Sequence, residues 1–260
     1  MRHRIAFAFA IAVLTPMLVC SEGEGGAEAG QIQTSTRGIE ISSLPSQRVP
    51  GPSQTDGTYT ARIVVATAVR RRPGGSAVKW VARTKTKWSG GGQKLMVLGS
   101  RQVGGESWLK VRLPIRPNRS AGWLPRNRVV LGHSPCFILI DLSQRRLRLY
   151  RAGRMANTWR VVVGAPPTPT PRGLFALYDR VPQADPHGFI GPWAVPLTAH
   201  SRQLRSFDGG PGLVALHGRD GASLLDPLGT AASHGCVRMS NGRIRAVAAT
   251  SMGTAVRIQR

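Results

Sequence analysis

Glycine and proline interrupt this sequence at short intervals, with 31 Gly and 19 Pro among 260 residues. Between them lie short apolar runs such as Lys94-Leu95-Met96-Val97-Leu98, Trp108-Leu109-Lys110-Val111 and Phe137-Ile138-Leu139-Ile140. Proline lacks the N–H that a helix interior or central strand needs, and glycine loses the most chain entropy on ordering. The pattern therefore predicts a mainly β fold of short strands and tight turns. A single helix is expected from Asn241 toward Met252, with Ser240 or Asn241 at its start and Gly253 after its end. The length suggests two small domains.

The ends of the chain differ in character. Arg2 and Arg4 precede an apolar run from Ile5 to Leu14, so residues 1–20 read as an export signal. Two processing sites fit it: lipidation at Cys20, or cleavage after Ala27-Glu28-Ala29. Residues 21–58, rich in Gly, Ser, Gln and Glu, read as a flexible linker. No later apolar run is long enough to span a membrane. The formal charge is +24, from 36 basic and 12 acidic residues. A charge of this size favours anionic wall or membrane polymers as partners. No zinc-finger, homeodomain or ribonucleoprotein pattern accompanies it, so nucleic acid is not expected.

Three cysteines do not make a disulfide framework. Cys20 lies at the signal, and Cys136 opens an apolar strand where it is expected to be buried and inert. Cys236 remains, in Ser233-His234-Gly235-Cys236-Val237-Arg238-Met239. Upstream, the strand-like Leu213-Val214-Ala215-Leu216 ends on His217-Gly218, with fifteen residues between His217 and Ser233. A nucleophilic thiol needs a base or a charge that lowers its pKa. If the connection folds back, His217 can serve Cys236, and Gly235 allows a turn tight enough for backbone N–H groups to face an oxyanion. On the residues alone, a metal site of Cys236, His234 and His217 and an ordinary structural turn remain alternatives. Zinc spacing is absent, and no metal or other cofactor is expected.

Two resemblances narrow these alternatives. The Ser-His-Gly-Cys-Val-Arg-Met segment after a strand ending in Leu-His-Gly resembles the signature of L,D-transpeptidases with the YkuD-type fold. The likeness extends to Ile140-Asp141-Leu142-Ser143, Val163-Gly164, Thr170-Pro171-Arg172-Gly173, Gly229 and Gly253-Thr254-Ala255-Val256, and covers residues 132–260. It departs at Arg172 and in Pro166-Pro167-Thr168-Pro169, which bear on one wall of the cleft. The resemblance implies a β-sandwich catalytic domain with one or two short helices. It implies Cys236 as acylated nucleophile, His217 as proton acceptor and donor with Gly218 holding its ring, and Ser233, His234 and Gly235 shaping the turn and oxyanion site. It also implies substrate contacts from Arg238, Phe189 and Trp193. The expected substrates are peptidoglycan tetrapeptide stems, joined through third-position diamino acids, with an exported, envelope-associated enzyme. Water as acceptor would give a carboxypeptidase, and an inert wall-binding adaptor is the non-enzymatic alternative. A papain-like endopeptidase is a further rival, disfavoured because there the Cys precedes the His and no His follows Cys236. In residues 59–131, Trp108-Leu-Lys-Val followed by Gly122-Trp123-Leu-Pro resembles bacterial Src-homology-3-like domains, which implies a small β-barrel.

Overall fold

The computed structural model describes residues 48–206 and 211–260. The expected signal and most of the expected linker lie outside these residues. The first seven strands are β1 (Thr58–Ile63), β2 (Thr67–Arg70), β3 (Ala77–Ala82), β4 (Lys94–Val103), β5 (Glu106–Arg112), β6 (Ala121–Pro125) and β7 (Val129–Ser134). They form one sheet in the order β3-β2-β6-β5-β4-β1-β7. Its apolar face buries Ala61, Ile63, Leu95, Val97, Leu109, Val111 and Leu124.

The expectation of a closed barrel is not met. The sheet is open, with β3 and β7 as its two edges and no ladder between them among the described residues. Short strands punctuated by Gly and Pro predict strands, but closure requires the first and last strands to come into register. Here β7 is committed along its whole length to β1, from Thr58↔Ser134 to Ile63↔Val129. At the other edge β3 pairs only with β2 and leaves Val81 45% exposed.

Pro135 alone separates β7 from β8 (Cys136–Asp141), which begins the second half. There follow β9 (Arg146–Arg151), β10 (Arg154–Arg160), β11 (Val163–Gly164), β12 (Gly173–Ala176), β13 (Val181–Pro182), β14 (Trp193–His200), β15 (Leu213–His217), β16 (Ala231–Ser233), β17 (Val237–Arg238) and β18 (Ala255–Gln259). A sheet ordered β10-β9-β8-β18-β12 faces another ordered β13-β14-β15-β17, with β11 and β16 as a small parallel pair. Between the sheets lies a core of Ile138, Ile140, Leu147, Leu149, Val195, Leu197, Val214 and Leu216. This half is the expected mainly β sandwich with a short helix. The helix, α1, spans Asn241–Ala248 and buries Ile244 and Val247, so it ends sooner than the predicted Met252. Its chain leaves the helix at Ala249, and Thr250 closes the last turn onto Val247 O at 3.0 Å.

The five-stranded sheet is covered on both faces. Alternation along β8 sends Ile138 and Ile140 into the sandwich and Phe137 and Leu139 outward. There they meet Met96 and Leu98 of β4, together with Ala176 and Ala255. Polar bonds cross the same junction: Ala255 N–H donates to Thr58 Oγ1 at 3.0 Å, and Thr58 Oγ1 donates to Cys136 O at 3.2 Å.

Candidate active site

The four-stranded sheet places the site. Its register aligns Val181 with Ala194, Ala194 with His217 and His217 with Arg238. In strands, alternate residues share a face. Val214, Leu216 and Val237 therefore enter the core, whereas Ala215, His217, Cys236 and Arg238 face a cavity of about 680 Å³. His234, Phe189, Ile190 and Trp88 also line it. The structure thus brings together His217, His234, Cys236, Arg238 and Phe189. It does not bring Trp193 to the cavity, because its neighbour Ala194 takes the cavity face and Trp193 packs on the core.

Cys236 is the free thiol among the described residues. Cys136 is fully buried, as expected, but it is disulfide-bonded, where the sequence pointed to no disulfide framework. The Sγ of Cys236 accepts from Ala215 N–H at 3.5 Å. Burial pushes this thiol above its ordinary pKa, and the Ala215 N–H and the Arg238 charge only partly offset that. The expectation of a lowered thiol pKa is therefore overturned, because desolvation of the thiolate outweighs both favourable neighbours.

His217 is buried, and its Nδ1–H donates to Gly218 O at 2.7 Å. A carbonyl only accepts, so the neutral ring keeps its lone pair on Nε2. Burial lowers the His217 pKa to about 4; the Gly218 carbonyl opposes this, Arg238 adds to it, and the Ile190 carbonyl opposes it. Near neutral pH the site therefore holds a thiol and a neutral imidazole rather than an ion pair. Gly218 itself must be glycine: a Cβ there would come within 2.5 Å of Asn241 Oδ1, which accepts from Arg219 N–H at 2.9 Å.

The turn before Cys236 is braced from within. Gly235 has φ +112°, a conformation that favours glycine. Ser233 is buried; its Oγ donates to Cys236 O at 2.5 Å and accepts from Gly235 N–H at 3.2 Å. Thr170 Oγ1 donates to Gly235 O at 2.9 Å and accepts from Gly164 N–H at 2.8 Å. Thr168 Oγ1 donates to Ser233 O at 3.3 Å, so the Pro-rich stretch packs behind the turn and not along the cavity. His234 is exposed at the rim.

Arg238 is 4% exposed. It pairs with Asp226 at 2.5 Å and lies 4.8 Å from the Phe189 ring centroid, while its Nε has no partner among the described residues. Asp226, Thr170 and Trp88 escaped the sequence reading as site residues. Thr170 stood in a quoted motif, whereas nothing local marked Asp226 or Trp88. Among the described residues, no group of three or more His, Cys, Asp or Glu is placed to hold a metal ion.

The chain is similar to known proteins. The YkuD protein of Bacillus licheniformis is 33% identical over 107 residues, covering 41% of this chain and 54% of that protein. The chain thus spans about half the length of this curated relative. Among solved structures, an L,D-transpeptidase from Mycobacterium tuberculosis H37Rv is 11% identical, with TM-score 0.40, over 76% of this chain and 98% of that one. Another from Mycobacterium smegmatis is 16% identical, with TM-score 0.38, over 60% of this chain and 91% of that one. Residues 136–258 match the family model for the YkuD L,D-transpeptidase catalytic domain. Over those residues the chain is similar to YkuD-type L,D-transpeptidase catalytic domains.

Proposed function

We propose that the chain is an exported L,D-transpeptidase acting on peptidoglycan tetrapeptide stems. The observation that carries this reading is the placement along one cavity of His217 on β15, Arg238 on β17 and Cys236 just before β17, inside the segment that matches the family. Cys236 Sγ attacks the carbonyl of the third-position diamino acid as its proton passes to His217 Nε2. The C–N bond to the terminal D-alanine then breaks, His217 returns the proton to the leaving amine, and a thioester remains. The side-chain amine of a second stem attacks the thioester, its proton goes through His217 to the thiolate, and a cross-link forms. Arg238, buried with an unpaired Nε, is assigned to a substrate carboxylate. The +24 charge supports retention on anionic envelope polymers.

The test is incubation with a tetrapeptide stem and detection of released D-alanine and of the acyl-enzyme by intact mass. Cys236→Ala is expected to abolish both, and His217→Ala to slow acylation by about 10²–10⁴-fold. Hydrolysis without dimer would make water the acceptor, and no reaction in the folded wild type would favour the adaptor.

A further inference from the structure

One wall of the cavity does not come from the sandwich. Trp88 lies in the connection between β3 and β4, in the first sheet's half of the chain, yet it lines the same cavity as Cys236. The connection is pinned to Asp179, which is 1% exposed. Its carboxylate accepts from Thr86 Oγ1 at 3.0 Å, Ser89 Oγ at 2.5 Å, and the backbone N–H groups of Trp88 and Ser89 at 3.2 and 3.3 Å. Tyr178 meets the indole edge-on, with ring centroids 6.1 Å apart. The loop is held firmly, but the indole remains 36% exposed and belongs to none of the apolar clusters. It lines the cavity, with the Lys87 ammonium 5.8 Å from its ring centroid.

The position of Trp88 fixes what it can touch. Its contacts with Tyr178 and Asp179 hold it at the start of β13, whereas Cys236 precedes β17, at the opposite edge of the order β13-β14-β15-β17. Three strand spacings of about 4.8 Å separate these edges, roughly 14 Å in all. An extended peptide covers about 3.3–3.6 Å per residue, so this span needs about four residues. A stem attacked at the carbonyl of its third residue has three residues on that side. The next group is the sugar to which the stem's N-terminus is joined. A pyranose ring offers a face of C–H groups that packs against an indole.

We propose that Trp88 is a specificity residue that stacks on this sugar, so that the enzyme prefers a donor stem still attached to glycan over a free peptide. The inference rests on the transpeptidase reading above. The test compares kcat and KM for a free tetrapeptide and for the same tetrapeptide carrying its disaccharide, in wild type, Trp88→Ala and Trp88→Phe. The wild type is expected to show a KM about tenfold lower for the sugar-bearing donor. Trp88→Ala should raise that KM about tenfold more than it raises the free-peptide KM, and Trp88→Phe should restore part of the preference. No preference in the wild type, or an equal effect of Trp88→Ala on both donors, would overturn the proposal. Wild type that turns over neither donor would instead sink the transpeptidase reading. Calorimetric binding of the two donors to Cys236→Ala then still decides the role of Trp88, because it needs no turnover.

Discussion

At the scale of single residues, burial decides the protonation of the site. Because desolvation raises the Cys236 pKa, alkylation by iodoacetamide should follow an apparent thiol pKa above the ordinary value near 9. Rapid, pH-independent alkylation down to pH 5 would reveal a preformed thiolate and contradict this. The same burial links pH to stability. His217 and His200 both have folded pKa values lowered from 6.5 to about 4, His200 by burial and by the Arg116 charge. A depressed folded pKa means that the unfolded chain takes up the proton first. The contribution is complete above pH 6.5 and is lost as pH falls from there through about 4. For His217 it is on the order of 3 kcal/mol. Melting measured between pH 7 and 4 should show a falling Tm, and replacing His200 by Gln should flatten part of that fall. An unchanged pH slope would show that these rings are not buried neutral.

Elements carry these residues to their places, and here the turn before Cys236 is the sensitive part. Thr170→Val keeps the shape of the side chain but leaves Gly235 O and Gly164 N–H unpaired. A loss on the order of 2–4 kcal/mol is expected, a Tm fall of roughly 5–10 °C, with slower acylation of Cys236. A variant that melts and reacts like wild type would show that the turn is held by other contacts. Much at this scale was legible beforehand. The Leu213–His217 strand, the turn at Gly235 and the strand at Ala255 follow from alternation and from glycine. The facing of Trp193 into the core was not legible, because the register of β14 against β13 and β15 decides it. The barrel failed for a related reason: local patterns mark strands, whereas pairing partners distant in sequence decide whether a sheet closes. The raised thiol pKa escaped too, since burial belongs to the assembled cavity and not to the motif.

The whole molecule couples its two halves at the site. Besides the Asp179 contacts, Arg116 donates to Ser201 O at 2.7 Å and to Leu204 O at 2.9 Å, and Asn118 exchanges bonds with His200 at 2.7 and 2.8 Å. Ser201 and Leu204 line the cavity. A chain reduced to residues 132–260 should therefore lose activity even on a small soluble tetrapeptide and should melt lower than the full protein or aggregate. A fragment as stable and active as the whole would contradict this coupling. The +24 charge acts at this scale as well. Pull-down on purified wall should weaken steeply as salt rises, and binding unchanged up to about 1 M, where the Debye length is about 3 Å, would exclude an electrostatic origin.

The outward face of β8 separates inheritance from folding. The recognisable family segment begins at Cys136, yet Phe137 and Leu139 of its first strand are covered by Met96 and Leu98, far upstream. A chimera cut at the family boundary would carry that greasy surface into water, at about 1.5–3 kcal/mol for each large side chain left bare. Any exchange of catalytic segments between such proteins must either move β4 along with them or repaint the face with polar residues. The portable unit is thus longer than the segment that evolution marks.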